Sequence, residues 1–152
     1  MRKPVSVVAI ALAISFALLT TGCGGDDDSD ASDATIAELA TEYDWPANAP
    51  GSADLEAFAA AGGGEEPSPR TAVERANMCV WYSAWLAAQA GGAGDQAAIE
   101  TYMADVIPSF EFVKDTPGAV ENVQSVARSA NDGDEAPVAA FVDANDCELL
   151  DS

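Results

Sequence analysis

The sequence has no histidine and only six basic residues among 152. Without imidazole there is no Ser-His-Asp triad, no Cys-His dyad, no His-ligated zinc and no His-ligated haem. Phosphate contacts need clustered Lys and Arg. Here 26 acids outweigh the six bases, the formal net charge is -20 and the pI is about 4.1, so nucleic acid is not an expected partner. Beyond the first three residues, Lys114 is the only lysine. No serine is placed to make a dyad with it, and neither G-x-S-x-G nor S-x-x-K occurs. A Walker loop, G-x-G-x-x-G and C-x-x-C are also missing. No pair of segments alternates apolar and polar residues as strands do. What is present is an apolar fraction of 49%, enough for a folded core, on a length that suits one domain with extensions.

Met1-Arg2-Lys3 is a short positive start, followed by an almost wholly apolar run from Val5 to Leu19. As a helix those residues would span roughly 22 Å, short of the roughly 30 Å hydrocarbon core of a bilayer. A charged start, a short apolar core and small residues after it describe an export signal. The segment ends Leu18-Leu19-Thr20-Thr21-Gly22-Cys23. This resembles the lipobox of bacterial lipoproteins, with Leu19 one step upstream of the usual leucine position. The resemblance covers the signal and the cysteine only. It implies that residues 1–22 are removed and that Cys23 carries acyl chains as the first residue of the mature protein. Two or more chains give stable anchoring, at about 0.8 kcal/mol per buried CH₂.

Three cysteines are an odd number for an exported protein. With Cys23 acylated, Cys79 and Cys147 remain, and they are expected to pair in the oxidising exterior. Residues 23–33 then form the lipidated cysteine and an acidic tether. Gly24 to Asp33 holds five acids and no large apolar residue, so it has no core to bury. The remaining unit, 34–152, still carries 21 acids against four bases.

Helical spacing dominates that unit. Thr35-x-x-Glu38 is a capping-box pattern, followed by Ile36, Leu39, Ala40 and Tyr43 on one face. Ser52 is positioned to cap a second helix with Leu55, Phe58 and Ala59 on its face, ended by Gly62-Gly63-Gly64. A third and longest helix starts at Ser68 or Thr71, with Thr71-x-x-Glu74 as a second capping box, and stops at Gly91-Gly92. Its middle is apolar nearly all round, which marks a central helix. Asp95 caps a fourth, bearing Ile99, Tyr102, Met103, Val106 and Phe110, with Pro108 as a kink or end. Phe110 to Val113 reads equally as a helical turn or an extended piece. Thr116-Pro117 offers a cap for a fifth helix on Val120, Val123 and Ala127, and Val138, Phe141 and Val142 mark a sixth. The expected fold is all-α, a compact bundle of five or six helices around a long central helix, stapled by one disulfide.

Chemistry-bearing sites are scarce. Asn131-Asp132-Gly133-Asp134 resembles part of a calcium loop, but the register puts Arg128 and Ala139 where acids belong, so it reads as a turn. No catalytic residue, metal site or cofactor is assigned. Trp81 and Trp85, at i and i+4, share a helix face with Tyr82 beside it. Aromatic residues of this kind serve as core or as ligand and partner contacts. Arg75 is expected to pair with an acid. The sequence therefore suggests a lipid-anchored protein on the extracytoplasmic face of the cell membrane. Its expected role is non-catalytic, binding an envelope protein or a small ligand. One alternative is an apolar-ligand binder with a pocket near Trp81, Tyr82 and Trp85; another is a hydrolase that works with carboxylates alone.

Overall fold

Short polar side chains begin four of the helices. In the computed structural model, which describes residues 35–46, 50–61 and 67–150, the Thr35 hydroxyl accepts from the Glu38 N–H and the Glu38 carboxylate accepts from the Thr35 N–H. This reciprocal box opens α1 (Ile36–Ala40), and those hydrogen bonds hold the Glu38 carboxyl below its ordinary pKa. Ser68 Oγ accepts from Thr71 N–H to start α3 (Pro69–Gln89), with Pro69 at the position where a missing N–H costs nothing. Asp95 caps α4 (Gln96–Asp105), and Asp134 caps α7 (Glu135–Ala144). The expected signal segment 1–22, Cys23, the tether to Asp33 and the Gly62-Gly63-Gly64 stop lie outside the described residues.

Two starts differ from the sequence reading, and a third that it left open is decided. The second helix, α2 (Ser52–Ala61), has Ser52 inside it rather than as its cap. Gly51 takes the capping place: its carbonyl accepts from Asp54 and Leu55, and its N–H donates to Asp54 Oδ2. Of the open stretch Phe110 to Val113, Glu111 onward is helical, giving α5 (Glu111–Asp115) with Phe110 as its N-cap residue, after a 3-10 turn at Ile107–Ser109 that holds Pro108. Thr116-Pro117 precedes the next helix, α6 (Ala119–Asn131), without capping it. Gly118 stands at that boundary with φ +78°, a left-handed conformation that suits glycine. The bundle thus has seven α-helices among the described residues and no strand.

Helix α3 is central and packs against α1, α2, α4, α5 and α7. The main core gathers Tyr82, Trp85, Met103, Ile107, Val113 and Val138, all with 0% exposure. α6 adds Val123, Val126, Ala127 and Ala130, at the i, i+3, i+4, i+7 spacing of a single apolar face. A smaller core of Leu55, Phe58 and Ala76 surrounds a disulfide between Cys79 and Cys147. This bond joins the middle of α3 to the closing 3-10 turn Cys147–Leu150, as the cysteine count leads one to expect. It closes a sequence separation of 68 residues. In the chain-entropy account, a loop of that size stabilises the fold by roughly 4 kcal/mol. No helix among the described residues is long and apolar enough to cross a membrane.

Candidate functional site

One stripe of α3 carries polar groups into the interior. Arg70, Glu74, Asn77, Trp81 and Trp85 follow one another at steps of four, three, four and four, so they lie along one side of the helix. Glu74 is only 2% exposed. Its Oε1 accepts from the Tyr43 hydroxyl at 3.0 Å and the Glu111 N–H at 3.0 Å, and its Oε2 accepts from the Phe112 N–H at 3.0 Å. The carboxylate therefore caps α5 from a different helix, meeting orphan amides and the positive end of the helix dipole. Its expected place in a capping box of its own helix is corrected by this finding. The N-cap of α3 is Ser68, three residues before Thr71, which leaves Glu74 free for the interior.

Arg70 braces the outer edge of this arrangement. It donates to the Tyr43 hydroxyl at 3.1 Å and pairs with Glu42 at 3.1 Å and Glu111 at 3.8 Å. Deeper in, Asn77 is 0% exposed, donates to the Asp44 carbonyl at 2.8 Å and accepts from the Tyr102 hydroxyl at 3.0 Å. Trp81 donates to the same Asp44 carbonyl and stacks on Tyr102 with ring centroids 4.0 Å apart. Tyr43 meets Phe110 edge to face, with centroids 5.5 Å apart at 90°. Burial, then the Glu74 charge, pushes the Tyr43 hydroxyl pKa up to about 12. Burial, then the Asp44 charge, pushes Tyr102 up to about 12.

An open cleft of about 300 Å³ lies over this network, between the turn after α1 and the α4–α5 corner. Its walls carry the acids Glu42, Asp44, Glu74 and Glu111 and the rings of Tyr43, Tyr102 and Phe110, with Lys114 as the one cationic side chain. A neighbouring cleft of about 320 Å³ lies on the other side of Arg70 and mixes Arg70, Glu111 and Asp115 with hydroxyls. A third, between α4 and α6, has Arg128 and no acid. Among the described residues, no three His, Cys, Asp or Glu side chains are grouped to hold a metal ion.

The aromatic trio singled out from the sequence lies in the core. Trp81 is 7% exposed, and Tyr82 and Trp85 are 0% exposed. None of the three lines any of these clefts. Trp85 donates to Glu100 Oε1, and Tyr82 packs edge to face on Phe141 with its hydroxyl buried and without a hydrogen-bond partner among the described residues. Arg75 lies over the Phe58 ring, 5.8 Å from its centroid, where the sequence suggested an acid partner. Sequence reasoning missed Tyr43, Asp44, Glu74 and Asn77 as a cluster. The available signal was a glutamate and an asparagine on the same side of an otherwise apolar helix as its two tryptophans. The chain matches no family model, no curated protein and no solved structure.

Proposed function

We propose that this chain is a lipid-anchored, extracytoplasmic, non-catalytic binding protein. The observation that carries the reading is the pairing of Cys79 with Cys147. It accounts for two of the three cysteines and leaves Cys23, at the end of the lipobox-like segment, as the thiol available for acylation. A buried disulfide also suits an oxidising compartment, to which an export signal leads. The acidic run after Cys23 then serves as the spacer between membrane and domain, reaching roughly 35 Å if its ten residues are extended. Binding rather than catalysis is favoured because Glu74, the buried carboxylate at the cleft, already accepts from two backbone amides and a tyrosine.

The test is fractionation. The wild-type chain is expected in the membrane fraction of its own cells, released by detergent and not by salt. Cys23→Ala is expected in the soluble fraction with its domain still folded. Equal membrane association of the two would remove the anchor from the account.

A further inference from the structure

We infer that the Cys79–Cys147 bond is a redox latch. Closed, it holds α2 and the closing 3-10 turn on α3; reduced, it releases those two elements while the main core stays folded. The inference stands on the fold and is independent of both the anchor and the binding role.

The two cores are held in different ways. The main core is crossed by hydrogen bonds between elements: Glu74 reaches α5, Asn77 accepts from Tyr102 of α4, and Trp85 donates to Glu100 of α4. The turn after α1 is tied to α3 in the same manner, because Asn77 and Trp81 both donate to the Asp44 carbonyl. Around the disulfide the contacts are apolar. Leu55, Phe58 and Ala76 pack with the two cysteines, and Leu150 joins them from the closing turn. Among the described residues, no hydrogen bond or ion pair joins α2 to another element. The packing of Leu55 and Phe58, with Arg75 over the Phe58 ring, keeps it in place. Its main packing partners are α1, α3 and the closing turn, and the closing turn packs on α2, α3 and α7. The disulfide is the covalent tie between that turn and α3. A unit held by few contacts opens separately from the rest of a domain.

Both cysteines are 1% exposed, so a reductant does not reach the sulfurs of the closed form. α2 covers them without a polar tie, and its lifting gives entry. A thiolate of a dithiol reductant then attacks one sulfur. The Cys79–Cys147 bond breaks, a mixed disulfide forms, and the displaced cysteine thiolate takes up a proton. The second thiolate of the reductant displaces the other cysteine, leaving two protein thiols and a cyclic disulfide, with two electrons passed to the protein. Exchange with a disulfide oxidant reverses both steps. A reducing compartment thus holds the chain with Leu55, Phe58 and Ala76 uncovered, and an oxidising one closes it.

The experiment is hydrogen exchange read by mass spectrometry on the whole mature chain, oxidised and in excess dithiothreitol. Reduction is expected to cost the amides of α2 at least about tenfold in protection, the effect of losing the burial of one side chain such as Cys147. Amides of α4 and α6 should change by less than about threefold. The rate of thiol release in dilute dithiothreitol tests the entry route. Phe58→Ala should raise it at least about tenfold by loosening the cover. Val123→Ala weakens the main core instead, and should leave it within about threefold. Protection lost equally from α2, α4 and α6 would make the bond a staple of the whole domain and overturn the latch. Protection kept in α2 after reduction, or equal rates of thiol release in the two variants, would also overturn it.

Discussion

Tyr82 and Tyr102 offer the same chemical change in two opposite settings. Both rings are buried, at 0% and 8% exposure. The Tyr102 hydroxyl donates to Asn77 Oδ1 at 3.0 Å, whereas the Tyr82 hydroxyl has no hydrogen-bond partner among the described residues. Tyr102→Phe removes a donor and leaves the carboxamide oxygen of a fully buried asparagine short of a partner, at a cost of about 1–2 kcal/mol. Tyr82→Phe removes a hydroxyl that was desolvated without return, which is expected to stabilise by about 1 kcal/mol. The ring contact with Phe141 survives the change. The two variants should therefore differ by about 2–3 kcal/mol, or roughly 10 °C in Tm for a domain of this size. Urea unfolding followed by far-UV circular dichroism measures both, and unchanged m-values license the comparison. If Tyr82→Phe destabilises as much as Tyr102→Phe, the account of which polar groups the core satisfies is wrong.

Two further outcomes follow from the same network. Glu74→Ala strips the acceptor from two amides of α5 and from the Tyr43 hydroxyl, and should cost about 3 kcal/mol, with the loss of hydrogen-exchange protection concentrated in α5. A loss under about 1 kcal/mol would mean that the amides find other partners. All three tyrosines in the chain have raised pKa values, with burial as the first cause in each. The folded state holds these protons more tightly than the unfolded state. Their contribution to stability is thus complete below pH 10 and is lost as pH climbs from 10 through about 12. Absorbance at 295 nm should stay flat through pH 10 and rise together with loss of ellipticity. Tyrosinate forming near pH 10 in a chain that is still helical would contradict this.

Local signals and distant ones differed in how well they could be read. Thr35, Ser68 and Asp95 cap neighbouring amides, so a few consecutive residues contain the whole interaction. The central place of α3 follows from apolar residues on every side of it. The pairing of Cys79 with Cys147 is expected only on the premise that Cys23 is set aside for acylation. Thr71-x-x-Glu74 shows the limit. It has the same pattern as Thr35-x-x-Glu38, yet its glutamate serves amides 37 and 38 residues away. Only the tertiary fold brings α5 to it. α5 itself, five residues beginning without a side-chain cap of its own, has no periodicity to reveal it. Trp81 and Tyr82, adjacent in sequence, point to separate neighbours because successive helical residues lie about 100° apart. One stacks on Tyr102 at the polar cluster, and the other meets Phe141 of α7.

The anchor can be settled by the mass of the first peptide of the mature protein, isolated from membranes of its own cells. The account predicts a peptide that begins at Cys23 and carries a diacylglyceryl thioether, with Cys79 and Cys147 recovered as one disulfide-linked pair. A peptide that begins at any other residue, or a Cys23 without acyl mass, would contradict it.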